Sequence, residues 1–213
     1  MLTSLCSTAK IPFIIGDQED EATLFALTQF NLSTTADVEK YLISVFFHDA
    51  TPEIIRGLVA IYPDDPAAGS PFGTGDLYEI YPQYKRLAAI LGDLTFTLTR
   101  RGFLANTADL LSWSYLSSYD EGTPILGNFH GSDLLPAFGT TPGFPSISIQ
   151  AYYLSFFNTL DPNNGTTGQV EWPLWKEGKV LLNFGASSNQ LIADTFRNES
   201  YAYIMPEFSS LHI

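Results

Sequence analysis

Two short segments of the sequence contain the residue types of an acid–base pair. Residues 16–23 include Glu21 and directly follow the apolar run at residues 11–15, and residues 127–134 place His130 in a glycine-flanked loop. An imidazole can take the proton of a serine hydroxyl and return it to a leaving group. A carboxylate behind the ring fixes its tautomer and stabilises the imidazolium. The two segments therefore contain the residue types that the acid and the base of a catalytic triad require.

The sequence contains no serine in the setting that a triad nucleophile requires. A triad serine can lie on a Gly-x-Ser-x-Gly turn between a strand and a helix, and no such segment occurs here. Ser70 is followed directly by a proline, Ser132 is too close to His130, and Ser187 and Ser188 lack the second glycine. The single cysteine, Cys6, lies in an irregular leader and is not expected to act as a nucleophile. We therefore assign no nucleophile to this chain.

Both segments also have simpler interpretations, which composition alone leaves open. Acidic side chains at a helix N-terminus are stabilising and common, so Glu21 and the other acids around it could open a helix. His130 could be an ordinary loop or core histidine. Of the other two histidines, His48 is expected near a helix end and His212 in a frayed terminus.

The two motifs, in this order and spacing, resemble the type-B carboxylesterase/lipase family, which includes cholinesterases and secreted fungal lipases. The similarity runs from about residue 11 to the end of the chain and is greatest to the fungal lipases. Further segments fit that subgroup, namely residues 69–72, 91–98, 172–173 and 196–198.

The resemblance implies a fold and the roles of two residues, and the chain departs from the family at one position. The implied fold class is α/β. The chain would be the C-terminal portion of an α/β-hydrolase, with the last strands of the sheet and their covering helices. The N-terminal half, which carries the nucleophile elbow, would be absent. The triad order is serine, acid, histidine, which assigns Glu21 as the orienting acid and His130 as the general base. The family usually has glycine after the acid, where this chain has Ala22. Ala22 would be strained if that backbone needed a positive φ.

Three functions fit these residues. The chain is interpreted first as a fragment of a carboxylic ester hydrolase, a lipase or esterase, that acts on acyl esters only when an N-terminal half supplies the serine. Alone it is then expected to be inactive, marginally stable or self-associating. The alternative is a non-catalytic protein-binding member of the same family, although such a protein would not need both Glu21 and His130. In a third interpretation, a separate chain supplies the serine.

Composition excludes several other classes of function. With 10 Lys and Arg against 23 Asp and Glu, the net charge of −13 disfavours nucleic acid and anionic membranes as partners. No apolar run approaches the ~18 residues of a membrane span. A lone cysteine forbids an internal disulfide. Neither a metal-ligand spacing nor a phosphate-binding glycine loop occurs, so no metal and no cofactor are predicted. Asp64, Asp65 and Asp76 are interpreted as a solvated loop rather than a cation site.

The chain is divided into an irregular leader at residues 1–10 and a single α/β-hydrolase portion at residues 11–213. The leader is too short and too polar for a signal peptide, so an extracellular location is implied only by the resemblance. Three Asn-x-Ser/Thr sequons, at Asn31, Asn164 and Asn198, are candidate N-glycosylation sites in a secreted protein.

Hydrophobic periodicity predicts helices alternating with short apolar strands. Strands are predicted at residues 11–15, 113–116 and 180–184. Helices are predicted after the cap Thr34-Thr35, from Thr51 onward with Pro52 in its first turn, over residues 82–104, and over residues 146–160 with Ser146 as its cap. The inward-facing residues are predicted to be Val38, Tyr41, Leu42, Val45 and Phe46 in the first helix, Leu87, Leu91, Leu94 and Leu98 in the third, and Ala151, Leu154 and Phe157 in the last.

Overall fold

A computed structural model of the protein describes residues 10–209 and Leu211. The predicted leader, apart from Lys10, lies outside the described residues, as do Cys6 and His212. The strands are β1 Phe13–Gln18, β2 Ser112–Ser117, β3 Val180–Phe184 and β4 Asn189–Ala193. The α-helices are α1 Thr23–Ala26, α2 Thr35–Tyr41, α3 Pro52–Ala60, α4 Tyr84–Gly92, α5 Leu98–Asn106, α6 Leu134–Ala137, α7 Phe144–Thr159 and α8 Asn198–Glu207. Short 3₁₀ turns occupy Pro66–Ala68 and Trp175–Glu177, and π-helical turns occupy Leu42–Phe46 and Asp93–Thr97.

The described residues form two compact units. The first, called the sheet unit, comprises residues 10–18, 100–120 and 131–196. The second, called the helical unit, comprises residues 19–99, 121–130, 197–209 and 211.

The sheet unit contains one mixed sheet with the strand order β1-β2-β3-β4. The first three strands are parallel and β4 is antiparallel to β3. Gly16 of β1 lies opposite Tyr115 of β2, and a Cβ atom at position 16 would lie 2.3 Å from the Tyr115 ring. The glycine therefore lets the tyrosine ring cross the neighbouring strand.

Aromatic side chains fill one face of this sheet. Trp113, Tyr115, Trp172 and Phe184 are buried with Tyr152 of α7. Their rings meet edge to face, with centroids 5.4 Å apart for Tyr152 and Trp172 and 5.3 Å apart for Tyr115 and Phe184. Such edge-to-face pairs add to the free energy gained by burying the apolar area itself.

A buried group of charged side chains, called the arginine cluster, also lies in the sheet unit. It consists of Arg100, Arg101, Asp17 and Asp194, whose side chains are at most 4% exposed. Arg100 Nε donates to Asp17 Oδ2 at 2.5 Å, and its terminal nitrogens donate to both oxygens of Asp194 at 2.9 and 3.0 Å. Two basic and two acidic side chains thus pair with one another where all four are buried.

The helical unit is built around α4, all of whose residues are buried. Helix α2 begins at the predicted cap, because Thr34 and Asp37 form a reciprocal capping box. Helix α3 begins as predicted, with Thr51 accepting from the Ile54 amide and Pro52 in the first turn. These caps satisfy amide groups that have no partner within the helix.

Several predicted elements need correction. Residues 82–104 are not one α-helix, because a π-helical turn separates α4 from α5, although all four predicted leucines of this region are buried. In the first helix Val45 and Phe46 are exposed, because the π-turn ends the α-helical phase there. Helix α7 begins before Ser146, with Pro145 in its first turn. The strand predicted at residues 11–15 is displaced to Phe13–Gln18, and β4 was not predicted.

The predicted inward face of α7 is also wrong. Leu154 and Phe157 are 58% and 73% exposed, whereas Ile149 and Tyr152 are buried. Apolar residues occur on every side of this helix, so their spacing alone does not identify the covered side. Over the part of the chain that the structure describes, no helix combines the length and apolarity needed to cross a membrane.

Candidate active site

Glu21 lies in a short connection between β1 and α1, where its side chain is only 7% exposed. Helix α1 starts at Thr23 and has no acidic residue in its first turn. Glu21 therefore does not lie in the first turn of a helix, as the simpler interpretation expected. The next residue, Ala22, has φ −99° and ψ 6° and is buried. Because this φ is negative, alanine in place of the family's glycine causes no backbone strain there.

The structure brings His130 against Glu21, although the two residues are 109 positions apart. His130 Nδ1 lies 2.6 Å from Glu21 Oε2. The imidazole side chain is 46% exposed, whereas the carboxylate is buried. A carboxylate at Nδ1 fixes the tautomer that carries its proton there. Nε2 is then the ring nitrogen that can accept a proton from a substrate or a nucleophile.

Two phenylalanine rings flank the imidazole. The ring centroids of Phe25 and Phe96 lie 5.3 and 5.0 Å from that of His130, and the two phenyl rings stack on each other. Phe25 is 46% exposed, so the histidine borders an apolar surface. No sequence pattern associates these rings with the site, because they come from separate helical turns.

Beside the pair, Glu19 is largely buried in a narrow crevice that Glu21 and Asp93 also line. Burial, followed by the like charges of Asp20 and Glu121, raises the pKa of Glu19 from 4.5 to about 8. The folded chain thus binds this proton more tightly than the unfolded chain. The resulting stability is fully present below pH 4.5 and is lost as the pH rises through about 8.

We expect the stability of Glu19→Gln to be less sensitive to pH than that of the unsubstituted chain. Between pH 4.5 and about 8, the free energy of unfolding of the unsubstituted chain should fall relative to the variant by up to about 1.4 kcal/mol per pH unit. Urea denaturation across this range measures the difference. Glu199→Gln, at an exposed residue in the first turn of α8, is the control. Parallel pH profiles for the unsubstituted chain and Glu19→Gln would contradict the assignment.

The serines considered as nucleophiles have other surroundings. Ser70 is buried and donates to Asp20 Oδ1 at 2.7 Å, and Ser132 is buried and donates to Gln18. Ser187 and Ser188 are exposed in the turn between β3 and β4, which is not a strand-to-helix turn. These environments match none of the features of a nucleophile elbow.

The remaining predicted positions lie at the surface. His48 is exposed, as are the sequon residues Asn31, Asn164 and Asn198. Asp65 caps a 3₁₀ turn and Asp64 accepts from Gln83. Within residues 10–209 and 211, no group of three or more acidic, histidine or cysteine side chains is arranged to hold a metal ion.

The sequence is similar to curated fungal lipases over almost its whole length. Secreted lipase 1 of Botryotinia fuckeliana is 55% identical over 211 residues, which are 96% of this chain and 37% of that protein. Secreted triacylglycerol lipase LIP1 of Gibberella zeae is 49% identical, covering 94% of this chain and 35% of that protein. Lipase 2 of Geotrichum candidum is 41% identical, covering 90% of this chain and 34% of that protein. This chain thus spans about a third of the length of these relatives.

A solved structure is similar as well. The crystal structure of Aspergillus niger EstA superposes with a TM-score of 0.79 over 99% of this chain and 42% of that chain, at 21% sequence identity. At this identity the similarity shows a shared fold. No protein-family model matches the sequence.

Proposed function

Because this chain is similar to fungal lipases over almost its whole length and carries a portion of the α/β-hydrolase fold, we propose that it supplies the acid and the base of a carboxylic ester hydrolase. In this proposal Glu21 orients the imidazole and His130 transfers the protons. Residues 11–213 form part of one hydrolase domain. A segment outside this sequence supplies the serine and the oxyanion hole.

The observation that carries the proposal is the contact between a buried carboxylate and a half-exposed imidazole. Glu21 Oε2 lies 2.6 Å from His130 Nδ1, which leaves Nε2 for proton transfer. A purely structural histidine does not require a buried carboxylate at one nitrogen together with solvent access to the ring. A general base in a serine hydrolase requires both.

The proposed reaction proceeds in two half-steps. Nε2 of His130 takes the serine proton as the serine oxygen attacks the ester carbonyl, and Glu21 stabilises the imidazolium that forms. The proton then passes to the leaving alcohol, and an acyl-serine remains. In the second half, Nε2 takes a proton from water, the resulting hydroxide attacks the acyl carbon, and the serine regains its proton. The overall reaction consumes one water and releases an acid and an alcohol, and no cofactor takes part.

The surroundings of the imidazole favour an apolar ester. The half-exposed ring of Phe25 and the exposed Leu24 lie on the same short helix, and Phe96 stacks on Phe25. Such a surface can bury the hydrocarbon part of an acyl ester. One relative is named a triacylglycerol lipase, so a lipid ester is the substrate class that we assign to the complete enzyme.

The test is a chimaera in which this chain replaces the matching segment of the Botryotinia fuckeliana relative. We assay tributyrin hydrolysis by the chimaera, by the parent enzyme and by this chain alone. The proposal requires turnover by the chimaera and none by the isolated chain. A chimaera with the circular dichroism spectrum of the parent but no hydrolysis would refute it, and would favour a protein-binding role.

Replacing Glu21 by glutamine in the chimaera tests the role of the acid. A neutral amide can hold the ring but does not stabilise the imidazolium, and it can select the wrong tautomer. We expect kcat for tributyrin to fall by roughly 10³- to 10⁴-fold with little change in KM. Glu53→Gln, at an exposed glutamate, serves as the matched control. Undiminished turnover by the Glu21 variant would rule out the assigned role.

We also propose that the complete enzyme is secreted and glycosylated. Two relatives are named secreted lipases. The side chains of Asn31, Asn164 and Asn198 are exposed, as attachment of a glycan requires.

A further inference from the structure

Asp20, the residue before Glu21, is almost completely buried and accepts three hydrogen bonds. Its Oδ1 accepts from the Ser70 hydroxyl at 2.7 Å and from the Phe72 amide at 2.9 Å. Its Oδ2 accepts from the Asn128 amide at 3.0 Å. The carboxylate therefore connects its own segment to two others of the helical unit, at residues 70–72 and at Asn128.

Asp20 is attached to the histidine-bearing loop through its backbone as well. Its amide donates to the Asn128 carbonyl at 3.0 Å, and it forms a parallel bridge with Phe129. Asn128 thus both receives a bond from Asp20 and donates one to it, and His130 follows two residues later. Because the peptide bond is planar and only two torsions per residue are free, fixing Asn128 and Phe129 restricts where the imidazole can lie.

The loop is shaped around this carboxylate. Gly127 has φ +56°, and a Cβ atom at this position would lie 2.2 Å from Asp20 Oδ2. Glycine is therefore needed at position 127 both for its conformation and for the space that the carboxylate occupies.

Other bonds join the two segments further from the site. The Thr23 hydroxyl lies 2.7 Å from the Leu126 carbonyl. The Tyr84 hydroxyl, on α4, lies 3.2 Å from the Thr23 carbonyl and 2.9 Å from the Ile125 carbonyl. These bonds act at the start of the loop.

We propose that Asp20 is a positioning residue, whose carboxylate holds the Glu21 segment and the His130 loop at the separation that the Glu21–His130 hydrogen bond requires. This inference rests on the proposed function for its catalytic meaning. The geometric part concerns the isolated chain and does not depend on hydrolysis.

Asp20→Asn separates the positioning role from the filling of space. The variant has nearly the same shape, but it offers one acceptor oxygen and one NH₂ group instead of two acceptors. The amide oxygen is expected on the side of Ser70 and Phe72, where it accepts two bonds, because the rotated amide would accept only one and would set its NH₂ group against the Phe72 amide. The NH₂ group then faces the Asn128 amide, and two donors oppose each other. The variant thus removes the connection to the loop. Ser70→Ala is the matched control, because it removes one bond to Oδ1 and leaves the bond to Asn128.

The first readout is the Nδ1 proton of His130 in the isolated, ¹⁵N-labelled chain. A proton shared with a carboxylate at 2.6 Å gives a downfield resonance that exchanges slowly with water. We expect this resonance in the unsubstituted chain and in Ser70→Ala, and its loss in Asp20→Asn. A folded Asp20→Asn chain that keeps the resonance unchanged would overturn the proposal.

The second readout is kinetic and uses the chimaera. A displacement of the imidazole by about 1 Å should lower kcat for tributyrin roughly 100-fold, whereas KM should stay within about twofold because Asp20 does not bind substrate. Ser70→Ala should keep kcat within about threefold of the unsubstituted chimaera. Equal loss of kcat in both variants would indicate general destabilisation and contradict a specific positioning role. A silent chimaera with an intact Nδ1 resonance would refute the proposed function alone.

A measurement without substitution covers the case in which Asp20→Asn does not fold. In the unsubstituted chain, the Asn128 amide and the His130 Nδ1 proton should be protected from hydrogen exchange and should lose protection at the same urea concentration. An Asn128 amide that exchanges as an exposed amide beside a protected Nδ1 proton would overturn the proposal.

Discussion

Replacing His130 by alanine in the chimaera should abolish ester hydrolysis. In the proposed function, the substitution removes the group that accepts the serine proton and returns it to the alcohol, and no other described histidine contacts a carboxylate. Loss of a triad histidine costs on the order of 10⁵- to 10⁶-fold in kcat. We expect tributyrin hydrolysis by His130→Ala to fall by this factor, with the residual rate due to substrate binding and oxyanion stabilisation.

The control for this prediction is His48→Ala, which removes an exposed imidazole from the same unit. Its turnover should match that of the unsubstituted chimaera. Exogenous imidazole should restore part of the activity of His130→Ala and none to a serine-deficient chimaera. If His130→Ala and His48→Ala hydrolyse tributyrin equally well, His130 is not the general base.

The largest effect on stability is expected from the arginine cluster. Arg100→Met removes the guanidinium that bonds both carboxylates, so Asp17 and Asp194 remain buried with one positive partner, Arg101. Leaving a buried charge uncompensated costs about 3–5 kcal/mol. Despite burial, hydrogen bonds and charge from Arg100 and Arg101 hold the pKa of Asp194 below its usual value, which indicates that its charged form depends on these partners.

The measurement is urea denaturation of Arg100→Met beside Arg56→Met. Arg56 pairs with Glu53 at the surface, where both side chains are more than half exposed. Such pairs contribute less than about 1 kcal/mol, so Arg56→Met should change the free energy of unfolding by no more than that. Similar losses in the two variants would show that the arginine cluster does not carry the stability assigned to it.

Much of the fold could be predicted because its signals are local. Thr34, Thr51 and Pro52 mark helix starts through bonds within one turn, and β3 was predicted with the bounds that it has. The π-turn at Asp93–Thr97 could not be predicted. Asp93 there is buried, receives a hydrogen bond from Tyr62 and pairs with Arg197, which are contacts between distant residues.

The candidate site was likewise predictable only in part. Glu21 and His130 are predicted as a pair because two motifs together resemble a family, and the structure brings them into contact, whereas their separation of 109 positions carries no physical signal of that contact. Asp20 was one acid in an acidic segment, and its partners lie 50, 52 and 108 positions away. Helix α7 shows the same limit, since its covered side is decided by Trp172 and Phe184 rather than by its own spacing.

The half-exposed imidazole of His130 is open to small electrophiles in the isolated chain. A neutral imidazole with an accessible nitrogen is itself a nucleophile toward activated aryl esters, and it forms an acyl-imidazole that water then cleaves. With Nδ1 held by Glu21, that reactivity is concentrated at Nε2. The chain should therefore release p-nitrophenol slowly from p-nitrophenyl acetate while leaving alkyl esters intact, and mass spectrometry should find the transient acetyl group on His130.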